Sequence, residues 1–328
     1  MSKTVSAAFL TTACLLVSAS AYGHPGDRLD LDTVATFAGE SPESIAIDHA
    51  GNAYYSFPLG GTVQKRTPDG HETTFATLPI AALPLGVKVG PDGCIYNVST
   101  SLDPTVVGAF AWRTCTAGTT AQVFATLDPS GGPNDLAFDD HGNLFVTDPF
   151  LGRVYKIKPN GAVSVWLQDP LLDGNPAAPA LRFHAVGVDG IAFDEDKENL
   201  YLGNLDYGRI VRVPIRSDGS AGSPSVVVSD PRLVGVDGIA FDDKGTLFAA
   251  INAQDALVSV SRRGRVTVLA SGPPLDGTAS VAFGTREADE RKLYVLCGAF
   301  MRVFGLEAGT PHPVLLTART DHEGLRLP

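Results

Sequence analysis

Glu43, Asn134, Asp189 and Asp237 are the residues whose types and spacing point to shared chemistry. Each opens a similar six-residue segment: Glu43-Ser44-Ile45-Ala46-Ile47-Asp48, Asn134-Asp135-Leu136-Ala137-Phe138-Asp139, Asp189-Gly190-Ile191-Ala192-Phe193-Asp194 and Asp237-Gly238-Ile239-Ala240-Phe241-Asp242. Fainter copies open on Leu85 and Ala279, so four of six first-column residues carry side-chain oxygen. Three carboxylates and an amide brought together cannot stand bare, because like charges raise one another's pKa or demand a cation. Hard oxygen donors without His or Cys suit calcium, which takes about 6–8 oxygens. Magnesium and manganese are the alternatives, and zinc is less natural without a nitrogen or sulfur donor. The competing explanation is that Asp-Gly and Asn-Asp simply form turns. It suits Asp48, Asp139, Asp194 and Asp242, which we assign to turns. It suits the first column less well, because Leu85 and Ala279 show that no polar residue is needed there.

The elements that must position this column are repeats. Gly187-Val188-Asp189-Gly190-Ile191-Ala192-Phe193 recurs letter for letter as Gly235 to Phe241, 48 residues later, and such a period marks a repeat architecture. Each segment runs into an Asp/Asn/Gly turn and a second short apolar run, as in Asp139-Asp140-His141-Gly142 before Leu144-Phe145-Val146, which reads as a hairpin. Third and fourth runs follow in most units. The pattern predicts an all-β, six-bladed β-propeller with four antiparallel strands per blade. Innermost strands line the channel, so the column becomes a ring around the axis. Blades start at 43, 85, 134, 189, 237 and 279. The last blade shows strands near 279–283, 293–297 and 301–306, and an N-terminal strand, Thr33–Ala38, is expected to close the ring beside Met301–Leu306. The second strands end in the column Phe57, Ser99, Asp148, Asn204, Ile251 and Cys297, with Asn252 next, which places Asp148 and Asn204 in a supporting tier beside Asn134 and Asp189. The longest irregular stretch, Asp169 to Val186, is expected to overhang the channel, and the tail from about 318 to be frayed.

Residues 1–23 read as a secretory signal peptide: Lys3, an apolar run through Leu15, Leu16 and Val17, then Ala19-Ser20-Ala21. The run is too short for a membrane span. Residues 24–328 then form one propeller domain, exported to the periplasm or secreted, with no membrane insertion. The chain carries 25 basic and 36 acidic residues, a net charge of −11, which excludes nucleic acid as a partner. Cys94 and Cys115 flank the second-blade hairpin symmetrically about Asp103-Pro104 and are expected to form a disulfide, leaving Cys297 free. No Cys-x-x-Cys, His-Glu-x-x-His, Gly-x-Ser-x-Gly or phosphate loop is present.

Across essentially the whole mature chain, these repeats resemble the family of senescence marker protein, gluconolactonase and luciferin-regenerating enzyme. The resemblance implies a divalent metal, often calcium, held by a Glu opening the first blade, an Asn-Asp in the third, an Asn-Gly in the fourth and an Asp-Gly in the fifth. These fall on Glu43, Asn134, Asp189 and Asp237, with Asp189 where the family usually has Asn. Ser44-Ile45 replaces the Gly-Pro that commonly follows the first Glu, and Gly132 stands where sugar-lactone members have Arg, which argues against an aldonolactone. The implied activity is hydrolysis of lactones or related esters by a monomer acting on a small molecule. Asp237 is the implied general base, with Asp135 and His184 as alternatives; His184 has the unperturbed pKa best suited to neutral pH. The competing class is a non-catalytic binding module with a structural metal.

Overall fold

Short runs rich in β-branched and aromatic residues alternate with tight Asp/Asn/Gly turns, and each run pairs with its neighbour in sequence. The computed structural model describes residues 28–79, 82–101, 108–182 and 184–325; the leader 1–23 lies outside them. Six four-stranded antiparallel blades form a propeller, with Thr119–Thr120 added in parallel at the outer edge of the first. Blade three is representative, with Leu136–Phe138, Leu144–Asp148, Arg153–Ile157 and Val163–Gln168 in spatial order. The aspartates assigned to turns sit in them. Asp139 accepts from the N–H groups of His141 and Asn143 at 3.0 and 2.8 Å, and from the Asn143 amide at 2.7 Å. Asp48 does the same with Ala50 and Asn52, and Asp242 accepts from Lys244 and Thr246.

Each blade is a sheet with two apolar faces, so the core is divided into clusters that lie between neighbours. Leu136, Leu144 and Val146 of blade three meet Val98, Ala109 and Ala111 of blade two. Ile45 and Tyr55 of blade one meet Leu296 and Leu315 of blade six. Trp166 packs in this way against Phe145 and donates its Nε1–H to Gly219 O of the next blade at 3.0 Å.

At the axis the innermost strands approach more closely, and the second residue of each six-residue segment decides how. Ser44 accepts from the Val87 N–H at 3.1 Å, Asp135 from Ile191 at 3.2 Å and Ser280 from Ile45 at 3.4 Å. Each bond joins a blade to the next one round the ring. At the other three junctions the residue is Gly86, Gly190 or Gly238, and the next blade's backbone fills the place of a β-carbon. Gly86 also donates to Asn134 O at 2.7 Å. Below this ring, alanines at the fourth segment position leave a chamber of about 380 Å³, rimmed at its far end by Glu323, Gly324 and Leu325.

The ring closes through the N-terminal strand, but not with the expected partner. Asp32–Thr36 pairs with Val314–Arg319, the third strand of blade six. The stretch expected as a strand at 301–306 instead holds a short helix, Phe300–Val303, in a long connection between Lys292–Cys297 and Val314–Arg319. The tail is also ordered further than its polarity suggests. Glu323 O accepts from the Asp243 N–H at 2.8 Å, and the Leu325 N–H donates to Phe241 O at 3.0 Å. Cys94 and Cys115 are joined, with Cα atoms 4.3 Å apart, at the end of the hairpin where Ile95 pairs with Thr114. Among the described residues no helix is long and apolar enough to cross a membrane.

Two outcomes follow. A chain beginning at residue 40 lacks the closing strand and leaves Val314–Arg319 as an open edge. Its thermal midpoint should fall by roughly 10 °C or more as one transition, given about 2–4 °C per kcal/mol for chains of this size. An unchanged midpoint would refute the closure. Cys297 is fully buried and its thiol is pushed up to about 12, first by burial. In the chain from residue 24 onward it should resist alkylation when native and give a single free thiol when denatured without reductant. Three thiols under that condition would exclude the Cys94–Cys115 bond.

Candidate active site

Irregularities in the innermost strands aim the first-column residues into the channel. The ladder of blade four slips between Val188 and Ile191, and that of blade five between Val236 and Ile239. Asp189 and Asp237 therefore sit in bulges, which re-aim side chains. In blades one and three the ladder starts at Ile45 and Leu136, so Glu43 and Asn134 stand just ahead of it. Their N–H groups are tied to Ser56 O and Thr147 O at 3.0 Å each.

Glu43, Asp189 and Asp237 are 6%, 2% and 8% exposed. Burial, then repulsion from Asp237, Asp189 and Asp135, pushes the Glu43 carboxyl well above the usual range. Asp189 is raised by burial and by Asp237, Asp135 and Asp206. Asp237 rises to about 8 through burial, although the Asn252 amide favours its charged form. Mutual repulsion of this kind requires the acids of blades one, four and five to share one end of the channel. Asn134, half-buried, precedes Asp135, which repels all three.

The donor chemistry fits a divalent cation. Glu43 Oε2, Asp189 Oδ1 and Asn252 Oδ1 are buried without a hydrogen-bond partner, and an orphaned buried acceptor is costly. A cation at their centre would satisfy them and favour the charged carboxylates. Among the described residues, the trio of Cys, His, Asp or Glu donors drawn within 4.8 Å of one another is Asp92, Cys94 and Cys115, whose sulfurs are committed to a disulfide. Among the described residues the axial acids do not form such a trio.

The other sequence candidates take different places. Asp135 is a structural clasp: Oδ1 accepts from Leu136 N–H at 2.8 Å and lies 3.6 Å from Lys88 Nζ, while Oδ2 accepts from Ile191 N–H at 3.2 Å. Those commitments tie it to the backbone of two blades and to Lys88. His184 is exposed, its Nδ1 donates to Ala185 O at 2.6 Å, and its ring rests 4.3 Å from that of Phe150. Asp148 and Asn204 do not spend their hydrogen bonds on the axial acids. Asp148 accepts from the N–H groups of Gly132 and Leu151 and from Tyr155 Oη–H. Asn204 donates to Leu171 O and Asp173 O and accepts from Tyr207 N–H. Both hold loops at the mouth.

Three residues go beyond the sequence assignment. Asn252 donates its amide to Asp237 Oδ2 at 3.0 Å; it follows the second column by one residue, which was its signal. Lys88 is the cation facing Glu43 and Asp135; its signal was position, since the other five segments carry alanine there. Asp206, 5% exposed, accepts from the N–H groups of Asn175, Ala180 and Val186 at 2.9, 2.8 and 2.8 Å, clamping the loop before blade four. An Asp in a turn offers no sequence signal for that role.

Residues 91–298, well over half of the chain, match the family described as SMP-30/Gluconolactonase/LRE-like region. A lactonase, drp35, from Staphylococcus epidermidis is 24% identical over 182 residues, which are 56% of this chain and 53% of that protein. The chain thus spans about half the length of the curated relatives it matches. A gluconolactonase from Xanthomonas campestris superposes with a TM-score of 0.63 at 17% identity, over 88% of this chain and 89% of that one. A calcium-binding protein, regucalcin, from Agrobacterium tumefaciens gives 0.61 at 18% identity, over 89% and 97%. Likeness at these identities speaks for the fold, and the family match for ancestry: the chain belongs to the SMP-30/gluconolactonase/LRE-like family.

Proposed function

We propose that the chain is an exported, divalent-metal-dependent hydrolase of lactones or related esters. The observation that carries this reading is the set of buried, mutually repelling acids with orphaned oxygens at one end of an open channel, in a chain of this family. The Cys94–Cys115 disulfide supports an oxidising compartment.

Glu43, Asn134, Asp189 and Asp237 would hold the ion, and their all-oxygen donor set favours calcium. When bound, the ion supplies Lewis acidity toward the ester carbonyl. Asp237 takes the proton from the attacking water. Asn252 fixes its Oδ2, and the other oxygen remains for the proton. The water oxygen bonds to the carbonyl carbon, the carbon–oxygen bond of the ester breaks, and Asp237 returns the proton to the departing alcohol oxygen. His184, held against Phe150 and the Ala185 carbonyl, is not assigned this transfer.

Purified protein with calcium should turn over a panel of lactones, and a chelator should abolish the activity. Asp237→Asn is nearly isosteric and should lower kcat by about a hundredfold or more while keeping the fold, as expected for loss of a general base that is also a ligand. Asn252→Ala frees one Asp237 oxygen and should lower kcat by about tenfold, with KM little changed. If no lactone or ester is hydrolysed with calcium present, and Asp237→Asn lowers only calcium affinity and thermal midpoint, the site is a structural plug and the hydrolase reading falls.

A further inference from the structure

Two aromatic rings are laid on glycines that lie close to first-column residues in the chain or in space. Phe150 covers Gly132, two residues before Asn134, so closely that no β-carbon would fit. Phe300 covers Gly298, which also abuts the carbonyl of Pro42, the residue before Glu43. Each ring has a second one beside it. His184 lies 4.3 Å from Phe150 at 35°, and Phe304 lies 6.1 Å from Phe300 at 16°. Phe304 is 49% exposed. Among the described residues, the exposed large hydrophobic side chains fall into two groups. The valines lie on outermost strands, while Leu59, Tyr207 and Phe304 lie at the acid-bearing end of the channel.

The rings are fixed by buried charge. Asp148 accepts from the N–H of Gly132, which Phe150 covers, and from that of Leu151, the residue after Phe150. Asp206 clamps the loop that brings His184 in. Arg302, two residues before Phe304, pairs with Asp276 and with Asp255 at 3.1 Å. Aromatic faces held in this way offer apolar contact and no hydrogen bonds to hydroxyl groups. A polyhydroxylated substrate would lose water there without replacement, whereas an aryl or alkyl group would gain burial.

We infer that Phe150 and Phe300 form the walls of a subsite for an apolar substituent, so that the substrates are lactones or esters bearing an aryl or alkyl group. The reaction half of this inference rests on the hydrolase reading; the binding half does not. The direct test compares γ-phenyl-γ-butyrolactone with γ-butyrolactone, which share the reacting ring, and with glucono-δ-lactone, all with calcium present. The wild type should favour the phenyl compound over its parent in kcat/KM by about a hundredfold, the upper part of what an apolar pocket discriminates. Phe150→Ala and Phe300→Ala should each cut that ratio by roughly tenfold, and Phe150→Trp should retain it. General damage to the protein lowers both rates and leaves the ratio alone. A wild-type ratio near one, a preference for glucono-δ-lactone, or a ratio unmoved in both alanine variants overturns the inference. If no lactone is hydrolysed at all, the hydrolase reading fails separately, and binding of 3-phenylcyclopentanone, the carbocyclic analogue, decides the subsite by titration calorimetry. Binding that weakens about tenfold in Phe150→Ala upholds it, and absence of binding to the wild type overturns it.

Discussion

Six innermost strands must meet around one narrow axis, and they can do so only if the second residue of each segment yields to its neighbour. Where it is glycine, the next blade's backbone moves into the space of the missing side chain. Where it is Ser44, Asp135 or Ser280, a side-chain oxygen reaches across and takes the next blade's N–H. Either solution keeps the strands close enough to leave the first-column residues directly over the channel. The blade-to-blade cores then fill the wider spaces further out.

That constraint sets the chemistry of the mouth. Glu43, Asp189 and Asp237 are presented from different blades into one desolvated space, and they repel one another because the strands carrying them cannot separate. Lys88 offsets part of the charge from below, through Asp135. Asn252 steadies Asp237 from the side. The remaining orphaned oxygens have no hydrogen-bond partner, so the cluster is not a self-satisfied network, which is why we propose a cation there. Around it, Asp148, Asn204, Asp206 and Arg302 spend their charges and amides on loop backbone and on one another, so the rim is as firmly held as the centre.

Much of this was readable in the chain because repetition exposes register. Glu43, Asn134, Asp189 and Asp237 share a column, and the propeller follows from the recurrence of their segments. The turn aspartates were readable for the same reason, since Asp48, Asp139 and Asp242 are each followed three residues later by the glycine the turn requires. What was not readable depends on contacts that no repeat encodes. Met301–Leu306 has the look of a strand, yet Val314–Arg319 is the segment that meets the closing strand. Polar Asp148 and Asn204 sit in the right column for supporting a metal, but their side chains turn to loop backbone, because those loops have N–H and C=O groups of their own to satisfy. The polar tail is held by two backbone bonds to blade five, which its side chains do not announce.

The central claim is that oxygens from four separate blades meet on one ion. A crystal grown with calcium, with anomalous diffraction measured at a wavelength where calcium scatters strongly, tests it most directly. The account predicts one strong peak on the channel axis, about 2.3–2.6 Å from oxygens of Glu43, Asn134, Asp189 and Asp237. No peak on the axis, or a peak only at the turn aspartates, would contradict it.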